Sequence, residues 1–208
     1  MIKKHIITIA GSLGSGKSST AKKVSEILNY KHYSTGDFMR KIADQMSIPL
    51  AELSKIAETD ISIDKMLDDK NLEIGLEENI VLDSRLGFHF IPHSFKVFLE
   101  LDPTIASERI LHDKNFNPNR HKESDGAFDT SESIKEKINT RLDSERKRYK
   151  DLYQIEDHTS HLNFDLVINT EKIPLEQVCK KVIEEYNDWL NVAPKGRSCD
   201  VISQNQIL

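Results

Sequence analysis

A β-branched run that breaks into glycines constrains this chain more than any other stretch. Ile6-Ile7-Thr8-Ile9-Ala10 leads into Gly11, Ser12, Leu13, Gly14, Ser15, Gly16, Lys17, Ser18 and Ser19, which fit G-x-x-x-x-G-K-[ST]. Glycines at those places let successive backbone N–H groups wrap a phosphate that side chains would otherwise block. Lys17 brings a positive charge to phosphate oxygens, and Ser18 offers a hydroxyl to a magnesium ion. Ala21, Val24, Ile27 and Leu28 follow at helical spacing, so the run reads as strand, phosphate cradle, helix, the helix N-terminus adding its partial positive charge. A chance glycine turn can match four fixed positions, but the flanking strand and helix are the context the motif demands. The motif names no acceptor, because kinases, switch GTPases and motor ATPases share it.

The remaining pattern alternates. Tyr30–Ser34 reads as a second strand turning at Thr35-Gly36-Asp37 into a helix with Phe38, Met39, Ile42 and Met46, which puts Arg40 one turn inside it. Pro49 opens a further helix (Leu50, Leu53, Ile56, Ala57), continued by Ile61, Ile63, Met66 and Leu67. Ile80–Arg85 and Ser94–Leu101 read as buried strands, and Pro103 starts a helix. From His112 to Thr130 periodicity fails and a mobile loop is expected. Ser131–Tyr153 then reads as a long charged helix, Phe164–Asn169 as a last strand and Pro174–Leu190 as a last helix, while the chain from Val192 onward reads as a polar, disordered tail. Strands alternating with helices argue for an α/β fold with a five-stranded parallel sheet covered on both faces, ligands gathering at the C-terminal strand ends.

At 208 residues one sizeable domain is expected. A formal charge of -5 gives no basic field to recruit nucleic acid. No apolar run approaches the ~20 residues of a membrane span and no leader-like segment precedes the first strand, so the expected compartment is the cytoplasm, with no membrane partner. Cys179 and Cys199 suggest neither a disulfide framework nor a thiolate metal site. Pro92 argues against a helical metal pair at His89 and His93. His158 and His161 have no acidic or cysteine partner at ligand spacing, so loop histidines exposed to solvent are expected. Trp189, Met39 and Met46 read as core.

Three groups of residues carry candidate chemistry. Arg40 and Arg85 follow strand ends, where a guanidinium fork matches phosphate oxygens, although an isolated arginine there also suits an exposed ion pair. Asp83 closes an apolar strand, where its carboxylate needs a partner: hydrated magnesium is one, a turn or helix cap another. Within Ser131–Tyr153, Arg141, Glu145 and Arg148 fall on one face, so one carboxylate sits between two guanidiniums. The plain alternative is a solvated face laced with ion pairs.

Together these segments resemble the nucleoside monophosphate kinases among the P-loop kinases, and specifically the short cytidylate kinases of the archaeal type. The likeness runs from Ile6 to about Asn169 through the phosphate loop, Tyr30–Arg40, Leu82–Leu86, Ser144–Lys150 and Asp165–Thr170. It implies ATP at the loop Gly11–Ser19, with Mg2+ at Ser18 and Asp83. It implies CMP or dCMP held by Gly36, Asp37, Arg40 and Arg85, and catalytic roles for Lys17, Arg141 and Arg148 with Glu145 between them. The corresponding organisation is a kinase domain over 1–191, with a helical acceptor-binding insertion at 36–77 and a lid at 112–150, followed by the tail 192–208; a monomer is expected. Ser84 stands where the family carries glycine, and Asp113 where an arginine is expected after Arg109. The loop Lys114–Thr130 is long, and Lys114 or Arg120 could restore the charge. A related small-molecule kinase with another anionic acceptor, or a nucleotide-binding module without catalysis, keeps the same loop and stays open.

Overall fold

Residues 4–116 and 130–191 are described in a computed structural model. Strand β1 (Ile6–Gly11) is buried on both faces, and parallel neighbours flank it: β3 (Ile80–Asp83) on one side and β4 (Phe95–Glu100) on the other. β2 (Lys31–Ser34) pairs outside β3, and β5 (Leu166–Asn169) outside β4, giving the order β2-β3-β1-β4-β5, all pairs parallel. The five-stranded parallel sheet expected from the alternating pattern is therefore present. Its register sets Ser34, Asp83 and Ile9 side by side, so β1 runs on through Ala10 to its first glycine, Gly11.

Helices cover both faces. Alternation along the strands sends Ile7, Ile9, Val81 and Val97 toward α1 (Lys17–Leu28) and α8 (Leu175–Asn191), where Val24, Val178, Val182 and Tyr186 meet them. Ile6, Ile80 and Leu82 face the other way, onto Ile74 and Ile91. Between β2 and β3 stand α2 (Thr35–Met46), α3 (Leu50–Ile56) and α4 (Ile61–Ile74), with a small core of their own built on Ala43, Leu53, Ala57 and Ile63. The short α5 (Gly87–Phe90) follows β3. On the far side α6 (Pro103–Phe116) packs on α7 (Ser131–Tyr153) through Ala106, Ile134 and Ile138.

Local chemistry sets these boundaries. Ser34 caps α2, its hydroxyl accepting from the Asp37 N–H at 3.4 Å. The Thr130 hydroxyl accepts from the Ser133 N–H at 3.2 Å and the Ser133 hydroxyl from the Thr130 N–H at 3.0 Å, a reciprocal box that starts α7 at Ser131.

Several sequence expectations are corrected. α6 continues to Phe116, so the first residues of the expected 112–130 loop are helical. Residues 117–129, with Arg120, and the tail 192–208, with Cys199, lie outside the described residues, as does the side chain of Lys114. α5 was not expected, being too short to show periodicity. Met46 is 47% exposed, at the rim of the insertion instead of in a core. His158 is buried at 4% exposure, not a solvent-facing loop histidine. Among the described residues no helix is long and apolar enough to cross a membrane.

Candidate functional site

The loop between β1 and α1 is held from β4. The Ser12 N–H donates to the Leu99 carbonyl at 2.9 Å, and the Leu101 N–H to the Ser12 hydroxyl at 3.4 Å. A Cβ on Gly11 would stand 2.6 Å from that same Leu99 oxygen, so only glycine lets the loop leave the sheet here. Gly16 precedes α1 at φ 83 and offers no side-chain cap to the first N–H groups of α1, which have no acceptor within the helix. Ser18 and Ser19 are exposed at this helix end.

Lys17 reaches back across the mouth of the loop and pairs with Oδ1 of Asp83. The other Asp83 oxygen, Oδ2, is buried with no hydrogen-bond partner. Burial, helped by the Arg85 and Arg141 guanidiniums, pulls the Lys17 ammonium down to about 7. The carboxylate that closes β3 is thus half-engaged, one oxygen on the lysine and the other without a hydrogen-bond partner.

The cationic groups meet on Glu145. Its Oε1 accepts from Arg141 Nε at 2.9 Å, its Oε2 lies 2.9 Å from Arg85 Nε, and His158 Nε2 stands 3.7 Å from Oε2. Burial by itself would raise the Glu145 carboxyl, but Arg85, His158 and Arg141 outweigh it and hold the group well below the usual carboxylate range. The expectation for α7 changes here. Glu145 does sit between two guanidiniums, but they are Arg141 and Arg85. Arg148 turns aside toward the helical insertion, its Nε 3.7 Å from Asp64 Oδ2 and its Nη1 3.5 Å from the Ala57 carbonyl. Arg40 donates to Asp37 at 2.6 Å on the exposed start of α2, beside Gly36.

A cavity of about 420 Å³ opens between the loop and α7, lined by Gly11, Ser12, Arg85, Glu145, His158 and Asn169 among others. The start of the loop, Gly11–Leu13, and the Arg85–Glu145 pair thus border one space. Sequence reasoning missed His158, which lies in a polar stretch with no periodic signal, and Asp64, whose neighbours read as an ordinary amphipathic helix. Among the described residues no three His, Cys, Asp or Glu side chains gather as a metal cage, so a cation here would lean on phosphates and water as well as on protein.

Residues 6–172 match the model of the cytidylate kinase-like family. A cytidylate kinase of Methanosphaera stadtmanae is 33% identical over 183 residues, covering 86% of this chain and 98% of that one. An S-adenosylmethionine-dependent nucleotide dehydratase of Lacinutrix mariniflava is 34% identical over 185 residues, covering 88% of this chain but 36% of that protein. In three dimensions a shikimate kinase of Bacteroides thetaiotaomicron superposes with a TM-score of 0.59 at 15% identity, covering 86% of this chain and 96% of that one, a likeness of fold.

Proposed function

The chain belongs to the cytidylate kinase-like family, and on that premise we propose that it transfers the γ-phosphoryl group of ATP to CMP or dCMP, yielding ADP and CDP or dCDP. The observation that carries this reading is one cavity shared by the phosphate loop and by Arg85 and Glu145. A donor and an anionic acceptor can meet there.

An oxygen of the CMP phosphate attacks the γ-phosphorus in line, the bond from that phosphorus to the β,γ-bridging oxygen breaks, and ADP leaves with its electron pair. No side chain is the nucleophile, so the protein's work is positioning and charge. The N–H groups of Gly11–Ser19 and Lys17 hold the donor phosphates, Lys17 exchanging Asp83 for phosphate oxygens as the nucleotide enters. Arg40 and Arg85 hold the acceptor phosphate from α2 and the end of β3, with Gly36 and Asp37 shaping that entry. Arg141 reaches the phosphoryl group in transit, and Glu145 positions Arg85 and Arg141 together. Ser18, exposed at the start of α1, and the unpartnered Asp83 Oδ2 fit a magnesium ion. Such an ion supplies neutralisation of the β- and γ-phosphate charge. Residues 1–191 would form the kinase domain, with the acceptor on the insertion at 36–77 and α7 within the lid at 112–150. Nucleotide substrates support a cytoplasmic setting, where we place the chain as a monomer.

The test is a coupled ADP-release assay with ATP and magnesium over CMP, dCMP, UMP and AMP, the product identified by chromatography. CDP or dCDP formation is expected. Absence of phosphorylation of every pyrimidine monophosphate overturns the reading, and full activity in Lys17→Ala overturns the site.

A further inference from the structure

A second cavity, of about 440 Å³, lies between the helical insertion and the C-terminal half of α7, lined by Ala57, Thr59, Asp64, Ser144, Arg148 and Asp151 among others. Two groups inside it are chemically unfinished. Asp64 is 5% exposed, yet its Oδ2 has no hydrogen-bond partner; Arg148 Nε is buried and likewise unpartnered. They face one another at 3.7 Å, close enough for attraction and too far for a hydrogen bond. The neighbouring carboxylate one turn along α4 is treated differently: Asp68 accepts from the Tyr153 hydroxyl at 2.8 Å. A buried carboxylate oxygen without a donor is costly in a folded chain. Asp64 therefore has the character of a group kept for something that arrives.

What arrives is fixed by position and by polarity. Arg148 and Arg141 lie on one face of α7, two turns or about 10 Å apart, with Arg141 at the phosphate end through Glu145 and Arg85. A ligand whose phosphate sits at Arg85 and Arg141 and whose body runs along α7 toward the insertion brings its far end to Asp64 and Arg148. One carboxylate oxygen followed by a guanidinium fork matches an edge that reads donor, acceptor, acceptor. Cytosine presents that edge with its 4-amino group, N3 and O2; uracil presents acceptor, donor, acceptor and sets O4 against the carboxylate.

We propose that Asp64 and Arg148 are the base-reading pair of the acceptor site, Asp64 Oδ2 accepting from the cytosine 4-amino group and the Arg148 guanidinium donating to N3 and O2. This rests on the reading of the chain as a pyrimidine monophosphate kinase and adds the residues that choose the pyrimidine. It also separates Arg148 from the phosphate-handling arginines.

The experiment compares wild type with Asp64→Asn and Arg148→Lys, each checked for an unchanged melting profile, in calorimetric binding of CMP and UMP and in kcat/KM for both with ATP saturating. Asp64→Asn can turn its amide to donate to O4. The CMP-over-UMP preference should accordingly fall by about 10- to 100-fold, mostly through CMP binding, with KM for ATP unchanged. Arg148→Lys keeps the charge beside Asp64 and loses the fork, so it should weaken CMP alone and leave Asp64 intact should the first variant not fold. An unchanged CMP-over-UMP ratio in a folded variant, or an equal loss for both nucleotides, overturns the proposal while CDP formation by the wild type leaves the kinase reading standing. Conversely, Asp64-dependent preference for CMP in binding without turnover supports the base site and overturns the kinase reading.

Discussion

The proposed exchange of Lys17 from Asp83 to phosphate oxygens carries a proton signature. Burial with two nearby guanidiniums sets its ammonium at about 7 in the free protein, well below the ordinary 10.5. Phosphate oxygens favour the charged form and raise it again. Nucleotide binding at pH 8 should therefore take up protons, seen as a binding heat that varies with the ionisation enthalpy of the buffer, and ATP affinity should weaken as pH rises above 7. Buffer-independent heats would contradict this. Glu145 gives the opposite sign. Its carboxyl is held below the usual range by Arg85, His158 and Arg141 against the effect of burial, so its stabilisation is complete above the unfolded value of about 4.5 and is lost as pH falls through the lower folded value. In Glu145→Gln the melting temperature should decline less between pH 5 and pH 3 than in wild type. The same variant should also turn over more slowly, because Arg85 and Arg141 lose their common anchor. Equal acid slopes would show that this carboxylate is not what the acid titrates.

Among the elements, β1 and the loop after it are the least tolerant. A Cβ on Gly11 meets the backbone oxygen of Leu99 instead of a yielding side chain. Gly11→Ala should then cost about 1–3 kcal/mol in chemical denaturation and displace the loop from β4, with activity falling further than stability. Wild-type stability and rate would mean that the loop leaves the sheet by another path. The same strands explain what the sequence discloses and what it hides. Ile6–Ala10 and Ile80–Leu82 are buried on both faces and Phe95–Leu99 is apolar but for Lys96, a pattern that a doubly covered parallel sheet buries, so architecture and phosphate loop followed from pattern. Partner choice did not. Helical spacing put Arg141, Glu145 and Arg148 on one face correctly, but whether Glu145 takes Arg148 or Arg85 depends on how α7 crosses the end of β3, a fact no local window contains. His158 is hidden for the same reason, since its burial comes from Glu145 and Tyr149 on a helix that precedes it, the Tyr149 ring lying 4.9 Å away.

At the level of the whole molecule, α2, α3 and the start of α4 share a small core through Ala43, Leu53, Ala57 and Ile63, while the end of α4 joins the sheet core through Ile74. Units with their own small core open more readily than central strands. Hydrogen exchange should find α2 and α3 less protected than β1, β3 and β4 in the free chain, and markedly slowed by a bisubstrate analogue that joins cytidine to adenosine through phosphates. Uniform protection in the free chain would argue for a rigid insertion. A last consequence follows from Glu145 bridging Arg85 and Arg141. Those two guanidiniums are never an empty positive hole, because the protein carries their counterion with it. Were these forks to hold the acceptor as proposed, an arriving phosphate would compete with a resident carboxylate for them, and a departing diphosphate would be replaced by one as it leaves. On the proposed reading, grip on substrate and on product would both be softened, and this carboxylate would work as a tethered eluent that keeps the residence time of a highly charged product short.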